Sequence, residues 1–546
     1  MRLRLSRNDV AFFVLVVVAL AALVFGLFGA RATSPPLSVA TVTSTGNVIV
    51  RENALMGTNS WQIPGGKEAT TQIQAYASAT SVLPGQTLTF YVSTQIEGTP
   101  YSIGIYRLGW YEGFGGRLKA LQTDQIGHAQ GYSDTLTHRL VGCSSCHVDP
   151  QTGLVEANWQ PSYALTVLSD WITGVYLAKF VDANGWQTYA RFDVRGNAHS
   201  AFVAVTPDTT NAAYNDWGGY SFYSFNGLKT SDSEAESLGK GVKVSFDRPY
   251  TKGSGSGSVL AFEADAIHWL ERQGYDLSYT SNVDLHEDPA QLLQHRAYLS
   301  LGHDEYWTKE MRDGVEYARD QGVGLAFLGA NAAYWQMRFE PDSAGTPDRT
   351  IVCYKVETAH NDLARDPFYG KDNTRVTAQW RDPALARPEN ALIGIMYSSY
   401  ESRQRGFPWQ VSSQAKSPLL DGTGLQVGQS YGCGLVGYEW DRIFENGATP
   451  PVLLVLAVSH TTDVYGDPDV SNTTYYIASS GAMVFATGSI YWTASLDSYR
   501  SNTDEMCIGR NPVVPGMQKL MAHVMDALVI NHPLQRLALT STVLEI

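Results

Sequence analysis

The sequence predicts a chain that joins an all-β region to an α/β region with a parallel sheet. Two patterns carry this prediction. From about Asn47 to Arg195 the apolar runs are short, alternating and separated by turn residues. From about Ser200 strand-like runs alternate with helical periods, which is typical of β-α-β units. With 546 residues, the chain has room for two or more domains.

The N-terminus begins with an uncharged, mostly apolar stretch, Ala11 to Ala30, that is long enough to span a bilayer. Arginines precede this stretch, so we expect the N-terminus to stay in the cytoplasm and the remainder to be exported. The sequence around Ala32 resembles a signal-peptidase site, so secretion after cleavage near Ala32 is the alternative. Residues 1–32 are interpreted as a single-pass membrane anchor or signal segment, and residues 33–46 as a polar tether.

Residues 47–197 are predicted to form a β-sandwich of the immunoglobulin-like type. Turn residues separate its runs, and no long helical period interrupts them. The alternation is clearest in Thr87 to Ser93, Tyr101 to Tyr106, Ser162 to Val167 and Gly174 to Phe180.

Residues 198–546 are predicted to form the α/β domain. Its clearest β-α-β unit has a strand at 297–301, a helix at 308–320 and a strand at 323–328. Further strands are expected at 201–205, 242–246 and 276–280, and helices at 259–273 and 514–530.

Side chains able to carry chemistry follow these strands where each strand ends. His303 and Glu305 come after one strand of the β-α-β unit, and Asn331 comes after the other. Tyr214 and Tyr250 lie on loops that follow two upstream strands. Ligands of open α/β sheets bind beyond the carboxyl ends of the strands, so we expect one crevice to collect these groups.

Composition narrows the range of partners. The net charge is -14, and no basic cluster offsets it, which argues against nucleic acid and against an anionic membrane surface. Charged residues make up only 17% of the chain, which indicates a neutral-polar surface of the kind common outside the cytoplasm.

The chain has five cysteines, and the odd count leaves at least one free or paired between chains. Cys143, Cys146 and His147 match the attachment pattern of c-type haem. The motif lies in a turn-rich loop without an obvious axial ligand, so a loop disulfide or free thiols is the favoured interpretation. A haem-bearing redox protein is the least favoured functional hypothesis for this chain.

Several motifs occur in a fixed order over roughly residues 50 to 540: IYRLGWYEGFGG, SDWITGVYLAKF, YNDWGG, SFDRPY, GHDEYW, LGAN and GYEWDR. Together they resemble the large-subunit family of N,N-dimethylformamidase. The resemblance implies a glutamine-amidotransferase-like α/β domain and a mononuclear iron site, in the ferric state, held by two tyrosines and one glutamate.

By this resemblance Glu305 is the carboxylate ligand of the iron. Tyr214 and Tyr250 are the tyrosinate ligands, with Tyr220 and Tyr223 lying nearby as alternatives. Phenolate and carboxylate are hard anionic donors, which suit a ferric ion better than zinc.

The resemblance places His303, Asn331 and Glu439 beside the metal as catalytic residues. Glu439 could move a proton between water and the leaving amine, while Asn331 and His303 could hold the developing oxyanion. Each residue also has a structural alternative. Glu305 could stabilise the start of the following helix, and Glu439 could pair with Arg442.

The predicted function is metal-dependent hydrolysis of an amide C–N bond in an extracytoplasmic substrate, either a small amide or a glycan- or peptide-linked one. The alternative is a non-catalytic cell-surface binding protein that keeps the family fold. The resemblance also implies a separate small subunit as partner, and the sequence leaves a homo-oligomer open.

Overall fold

The computed structural model describes residues 47–134, 136–137, 139–196, 199–225, 228–229, 240–401, 406–497 and 513–529. All of them fall within one structural unit, Val42–Ile546. The predicted anchor, residues 1–32, and the predicted tether, residues 33–46, lie outside the described residues. None of the helices within the described ranges combines the length and apolar character needed to cross a bilayer.

The N-terminal residues fold into two β-sheets that share one apolar core. Phe90 of the smaller sheet packs between the sheets with Ile103, Phe180 and Phe192 of the larger one. The smaller sheet has the strand order Ile73–Ala77, Thr87–Thr94, Tyr163–Thr166. The larger sheet has the order Ser81–Val82, Gln187–Val194, Gly174–Asp182, Pro100–Leu108, Gly116–Ile126. The predicted two-layer β region is therefore present, preceded by a short helix, Val48–Asn53, that the pattern did not predict.

A seven-stranded sheet forms the centre of the α/β part. Its order is Leu277–Ser281, Phe202–Thr206, Ala297–Leu301, Gly324–Leu328, Met483–Ala486, Pro468–Ile477, Leu454–Thr462. The first five strands run parallel, and the last two pair antiparallel with their neighbours. The chain thus combines an α/β region with an all-β region, as the sequence predicts.

One predicted strand belongs to a different sheet. Lys243–Ser245 pairs antiparallel with Thr350–Val352 rather than joining the parallel sheet. The four-stranded sheet that contains it has the order Lys243–Ser245, Thr350–Val352, Trp335–Glu340, Tyr306–Thr308. The prediction that Val242 to Phe246 joins the parallel sheet was wrong, because alternation identifies a strand without identifying its distant partner.

Helices cover the parallel sheet close to the predicted positions. Lys309–Asp320 begins after Thr308, whose side chain accepts a hydrogen bond from the amide of Met311 as an N-cap. The predicted helix over 259–273 is divided into a π-helical turn, Val259–Glu263, and an α-helix, Ala264–Gln273. Within the described ranges, the remaining α-helices are Asp208–Ala213, Asn282–Glu287, Asn390–Ile393 and Pro515–Val529.

Short elements complete the described fold. Two-stranded sheets pair Tyr132–Ser133 with Leu140–Val141, His147–Asp149 with Leu154–Glu156, Ser224–Phe225 with Leu228–Lys229, Met396–Tyr400 with Glu439–Arg442, and Phe407–Gln410 with Ser430–Val436. Single 3-10 turns lie at Tyr111–Gly113, Trp217–Gly219, Lys252–Gly255, Pro289–Gln294, Thr358–His360, Leu363–Arg365, Asn373–Arg375, Pro418–Leu420 and Trp492–Ser495.

The cysteine pair at the haem-like motif forms a disulfide. Cys143 and Cys146 are bonded to each other, so neither is a free thiol. The loop-disulfide interpretation therefore describes this motif, since the haem alternative needs both thiols. Cys353 is free and buried, in keeping with the odd cysteine count.

A buried ion pair connects the larger N-terminal sheet to the α/β part. The Arg107 guanidinium donates to both carboxylate oxygens of Glu271, at 2.8 and 2.7 Å, and both side chains are fully buried. Arg107 lies on the strand Pro100–Leu108 and Glu271 on the helix Ala264–Gln273. Asn53 and Tyr279 also donate to Glu271, so the buried carboxylate is fully paired.

A second buried cluster places three carboxyl groups around one guanidinium. The Nη2 atom of Arg191 lies 3.3 Å from Oδ1 of Asp193 and 3.4 Å from Oδ1 of Asp208. Its Nη1 atom lies 3.9 Å from Oε2 of Glu263. Burial raises the pKa of Glu263 to about 8 and that of Asp208 to about 7, although the Arg191 charge opposes the shift. The folded state therefore favours the protonated form of Glu263.

We expect Glu263→Gln to flatten the pH dependence of stability. The pKa of Glu263 rises from 4.5 to about 8 in the folded protein, so its contribution to stability is full below pH 4.5 and is lost as pH rises through 8. Wild type should lose thermal stability between about pH 5 and pH 8, and the variant should lose less. The midpoints of thermal unfolding of wild type and variant, measured across this pH range, give the two losses of stability. The exposed Glu112→Gln serves as control, and equal slopes in all three proteins would contradict the assignment.

Candidate active site

Three neighbouring strands of the parallel sheet deliver most of the site. Phe202–Thr206 leads into the helix Asp208–Ala213, which ends at Tyr214. Ala297–Leu301 is followed by His303 and Glu305, and Gly324–Leu328 by Asn331. The carboxyl ends of adjacent parallel strands lie at one edge, so these side chains meet in one place.

Two glycines allow the loops that follow the strands Ala297–Leu301 and Gly324–Leu328 to pass each other with their backbones in contact. Gly302 has a φ of +60°, a conformation that residues with a side chain rarely adopt. A Cβ atom on Gly329 would overlap the carbonyl oxygen of Gly302. Glycine at 329 is therefore required for the loop that carries Asn331 to pass the loop that carries His303.

The Glu305 carboxylate receives two tyrosine hydroxyl groups. The hydroxyl of Tyr214 donates to Oε2 at 2.7 Å, and that of Tyr223 donates to Oε1 at 3.0 Å. The two phenol rings stack with centroids 4.2 Å apart. The Tyr223 hydroxyl also lies 2.6 Å from that of Tyr306, and the amide of Glu305 donates to Thr210.

His303 lies between two carboxylates. Its Nε2 atom is 3.3 Å from Oε2 of Glu305 and 3.1 Å from Oε2 of Glu439. Burial lowers the pKa of His303, but the Glu439 and Glu305 carboxylates outweigh it and raise the pKa to about 10. For Glu305 burial acts in the opposite direction and raises the pKa. The neighbouring His303 outweighs burial and leaves the pKa of Glu305 below its usual value. The other imidazole nitrogen, Nδ1, lies 3.3 Å from the hydroxyl of Tyr438.

Asn331 connects the strand-end loops to Glu439. Its backbone adopts a left-handed conformation with a φ of +55°. The side chain donates from Nδ2 to Glu439 at 2.9 Å, while the amide donates to Asp441 at 2.8 Å. The Asp441 amide in turn donates to the carbonyl oxygen of Gly488, on the loop after the fifth parallel strand, Met483–Ala486. Within the described part of the chain, the buried Oδ1 atom of Asn331 has no hydrogen-bond partner.

The structure brings together Tyr214, Glu305, His303, Asn331 and Glu439, but it places Tyr250 in another environment. Tyr250 lines a cavity of about 20 Å³ together with Arg191, Asp208 and Arg248. Tyr250 follows Lys243–Ser245, which belongs to the four-stranded sheet, so the argument from parallel strand ends does not apply to it.

The second hydroxyl on Glu305 comes from Tyr223, which was predicted only as an alternative ligand near the favoured pair, Tyr214 and Tyr250. Tyr214 and Tyr223 share one segment, and the chain turns back between them at Gly218 and Gly219, which have φ values of +79° and +88°. The Gly-Gly pair is the sequence signal that could have placed Tyr223 beside Tyr214.

Two lysines lie over the stacked phenols. The Nζ atom of Lys252 is 4.5 Å from the ring centroid of Tyr214, and that of Lys355 is 3.6 Å from the centroid of Tyr223. Such cations are attracted to the ring faces and would stabilise negative charge on the hydroxyls. Sequence reasoning missed both lysines, because neither lies in a motif with chemical meaning.

The donor set at Glu305 suits a hard cation. Burial raises the pKa of Tyr214 and of Tyr223 well above the usual value, and the Glu305 charge raises both further. Phenolates at this position therefore need a compensating cation. No cluster of three or more His, Cys, Asp and Glu side chains within the described ranges has the arrangement of a metal site. The donors that converge here are instead one carboxylate and two phenols.

Comparisons with known proteins agree with the motif resemblance. Residues 102–505 match the family model described as N,N-dimethylformamidase beta subunit-like, C-terminal. The chain is 28% identical over 320 residues to the N,N-dimethylformamidase beta subunit of Paracoccus aminophilus. It is 27% identical over 321 residues to the subunit of the same name from an Alcaligenes species.

Each of these alignments covers 52% of the chain and 41% of the relative, so the chain spans about two fifths of the curated relatives it matches. Among solved structures, a cycloisomaltooligosaccharide glucanotransferase from Paenibacillus sp. shares 10% identity over 54% of this chain and 36% of its own. The TM-score of this match is 0.15, which is too low to indicate a shared fold or function.

We expect Gly329→Ala to destabilise the protein, because the new methyl group would overlap the carbonyl oxygen of Gly302. Overpacking of this kind costs about 1–3 kcal/mol, which should lower the midpoint of thermal unfolding. Gly65→Ala is the control, since a Cβ atom at Gly65 meets nothing within 4 Å. Equal unfolding midpoints for the two variants would contradict the close approach of the loops.

Proposed function

The chain belongs to the N,N-dimethylformamidase beta subunit-like family, and we infer that it hydrolyses the C–N bond of an amide. The main support for this proposal is the arrangement of two carboxylates around one imidazole. Glu305 and Glu439 lie on either side of Nε2 of His303, and two phenols meet only the first of these carboxylates. The arrangement separates a candidate cation site from a candidate proton acceptor, as metal-assisted hydrolysis requires.

We propose that Tyr214, Tyr223 and Glu305 hold one iron ion in the ferric state. This set replaces Tyr250 of the sequence prediction with Tyr223, which shares Glu305 with Tyr214. Oxygen donors with negative charge suit a hard trivalent ion. When bound, such an ion would polarise an amide carbonyl and lower the pKa of a water molecule.

Glu439 is proposed as the group that moves the proton. Its Oε2 atom accepts a hydrogen bond from Asn331 and faces Nε2 of His303, so the carboxylate is held in one orientation. It would take a proton from the attacking water and return it to the leaving nitrogen, which gives a carboxylic acid and an amine. His303 and Asn331 are proposed to stabilise the charge that develops on the carbonyl oxygen.

The finer description of the fold is also a proposal. The two N-terminal sheets with a shared core support an immunoglobulin-like sandwich over residues 47–197. Five parallel strands with helices between them support a glutamine-amidotransferase-like domain over residues 198–546.

We propose that the chain acts outside the cytoplasm, anchored through residues 1–32 or released after cleavage near Ala32, on an extracytoplasmic amide. The disulfide between Cys143 and Cys146 supports export, since such bonds form and persist in oxidising compartments. Both curated relatives are named as beta subunits, which supports a separate small subunit as partner.

Metal analysis with a visible spectrum tests the ligand set. Wild type should contain about one iron per chain and show a broad tyrosinate-to-iron absorption. Tyr223→Phe and Glu305→Ala should each lose iron and colour, because each removes one proposed ligand. Tyr250→Phe is the matched control and should keep both. Loss of iron in Tyr250→Phe but not in Tyr223→Phe would restore the sequence-predicted ligands, and a folded wild type without metal would reject the iron proposal.

Glu439→Gln should abolish most turnover while leaving iron in place. The amide keeps the shape of the side chain and can still accept from Asn331, but it cannot take a proton. The expected fall in kcat is about 10²- to 10⁴-fold, the usual contribution of a general base. Iron content and the thermal unfolding midpoint should match those of wild type. A kcat within about twofold of wild type would exclude Glu439 as the proton acceptor.

A further inference from the structure

The SFDRPY motif, residues 245–250, borders a small cavity that both parts of the chain line. Arg248 and Tyr250 come from the motif itself. The N-terminal sheets contribute residues of the strands Ile73–Ala77 and Gln187–Val194. The cavity has a volume of about 20 Å³, which is room for one occupant of about the size of a water molecule.

Positive charge predominates around this cavity. Arg191, Arg248 and Arg349 all line it, whereas Asp208 alone carries a carboxyl group among the described residues that do so. Burial raises the pKa of Asp208 to about 7, which reduces the opposing negative charge. Arg349 donates to Asp247 at 2.6 Å, but the buried Nε and Nη1 atoms of Arg191 have no hydrogen-bond partner within the described ranges. The lining therefore offers N–H donors to an anion.

Arg248 is a buried guanidinium that binds backbone carbonyl oxygens. Its Nη1 atom donates to Trp217 at 2.8 Å and to Tyr220 at 2.9 Å, and its Nη2 atom donates to Asn215 at 2.8 Å. Its buried Nε atom has no hydrogen-bond partner in the part of the chain that the structure describes. Burial lowers the pKa of Arg248 to about 10, so its surroundings stabilise the cation less well than water does. A neighbouring anion would offset this cost.

Tyr250 supplies a hydroxyl group to the same cavity. Burial and the nearby Asp208 raise the pKa of Tyr250, although the charge of Arg191 acts in the opposite direction. The phenol therefore keeps its proton at neutral pH and can donate a hydrogen bond.

We propose that the cavity binds one chloride ion, held by Arg248, Arg191 and Tyr250. Chloride is a single atom only slightly larger than a water molecule, so it suits a volume in which a tetrahedral oxyanion would not fit. Arg248 connects this site to the candidate active site, because the three carbonyl groups that it binds lie between Tyr214 and Tyr223 in the sequence. Bound chloride would stabilise the contact between the N-terminal sheets and the α/β part, together with the segment that carries the two phenols.

Thermal unfolding of the full chain tests the site, with sodium chloride replacing sodium gluconate stepwise at constant sodium concentration. The wild-type midpoint should be level at low chloride and rise with the logarithm of chloride concentration above the dissociation constant, as for a ligand that binds only the folded state. Tyr250→Phe should need about tenfold more chloride for the same rise, because it removes one hydrogen bond to a charged group. Arg248→Gln should abolish the rise.

Arg365→Gln is the matched control, since the Arg365 side chain is 55% exposed and lies outside the cavity lining. Its midpoints should rise with chloride as those of wild type do. Crystals grown with bromide in place of chloride give a direct measurement, because bromide scatters X-rays anomalously, and one anomalous peak is expected beside Arg248 and Tyr250.

A water molecule alone in the cavity of the bromide crystals would overturn the proposal. The same chloride dependence in wild type and Tyr250→Phe would also overturn it, because the hydroxyl would then have no part in binding. If Arg248→Gln fails to fold through loss of its carbonyl contacts, Tyr250→Phe and the bromide peak still decide the question. Neither result bears on the iron ligands, which do not include Tyr250.

Discussion

The buried carboxylate of Glu305 is the constraint on which the site depends. A buried negative charge is costly unless hydrogen bonds or opposite charges surround it. Tyr214, Tyr223 and His303 meet this requirement. The two tyrosines come from one segment that follows the strand Phe202–Thr206, and His303 comes from the same loop as Glu305. The parallel sheet makes the convergence possible, because its central strands end at one edge and release their loops toward the same point.

Residues close in sequence to a strand end could be predicted, and residues placed by distant pairing could not. His303, Glu305 and Asn331 follow strands with strong local signals, so a single geometric rule brings them together. Glu439 has no such signal, since the loop after another strand, around Gly488, holds it in place. Only its resemblance to a known motif indicated a role. Tyr250 illustrates the opposite failure, in which a correct strand was given the wrong partner.

The same division applies to the fold. Alternating and helical periods predicted the order of elements well, because these periods reflect which face of each element is buried. They did not predict the short helix Val48–Asn53, the separate four-stranded sheet or the π-helical turn at Val259–Glu263. Each of these depends on contacts between parts of the chain far apart in sequence. Gly302 is an example, since a Cβ atom there would lie 3.0 Å from the Cγ of Glu263 in the π-helical turn, a contact between segments about 40 residues apart in sequence.

The ion pair between Arg107 and Glu271 makes the α/β part depend on the N-terminal sheets. Each partner is fully buried, and either one alone would leave a charge in the interior without water. A shortened gene that encodes only the α/β part would therefore leave the Glu271 carboxylate without its guanidinium partner. It would also open to water a face that the longer chain keeps buried.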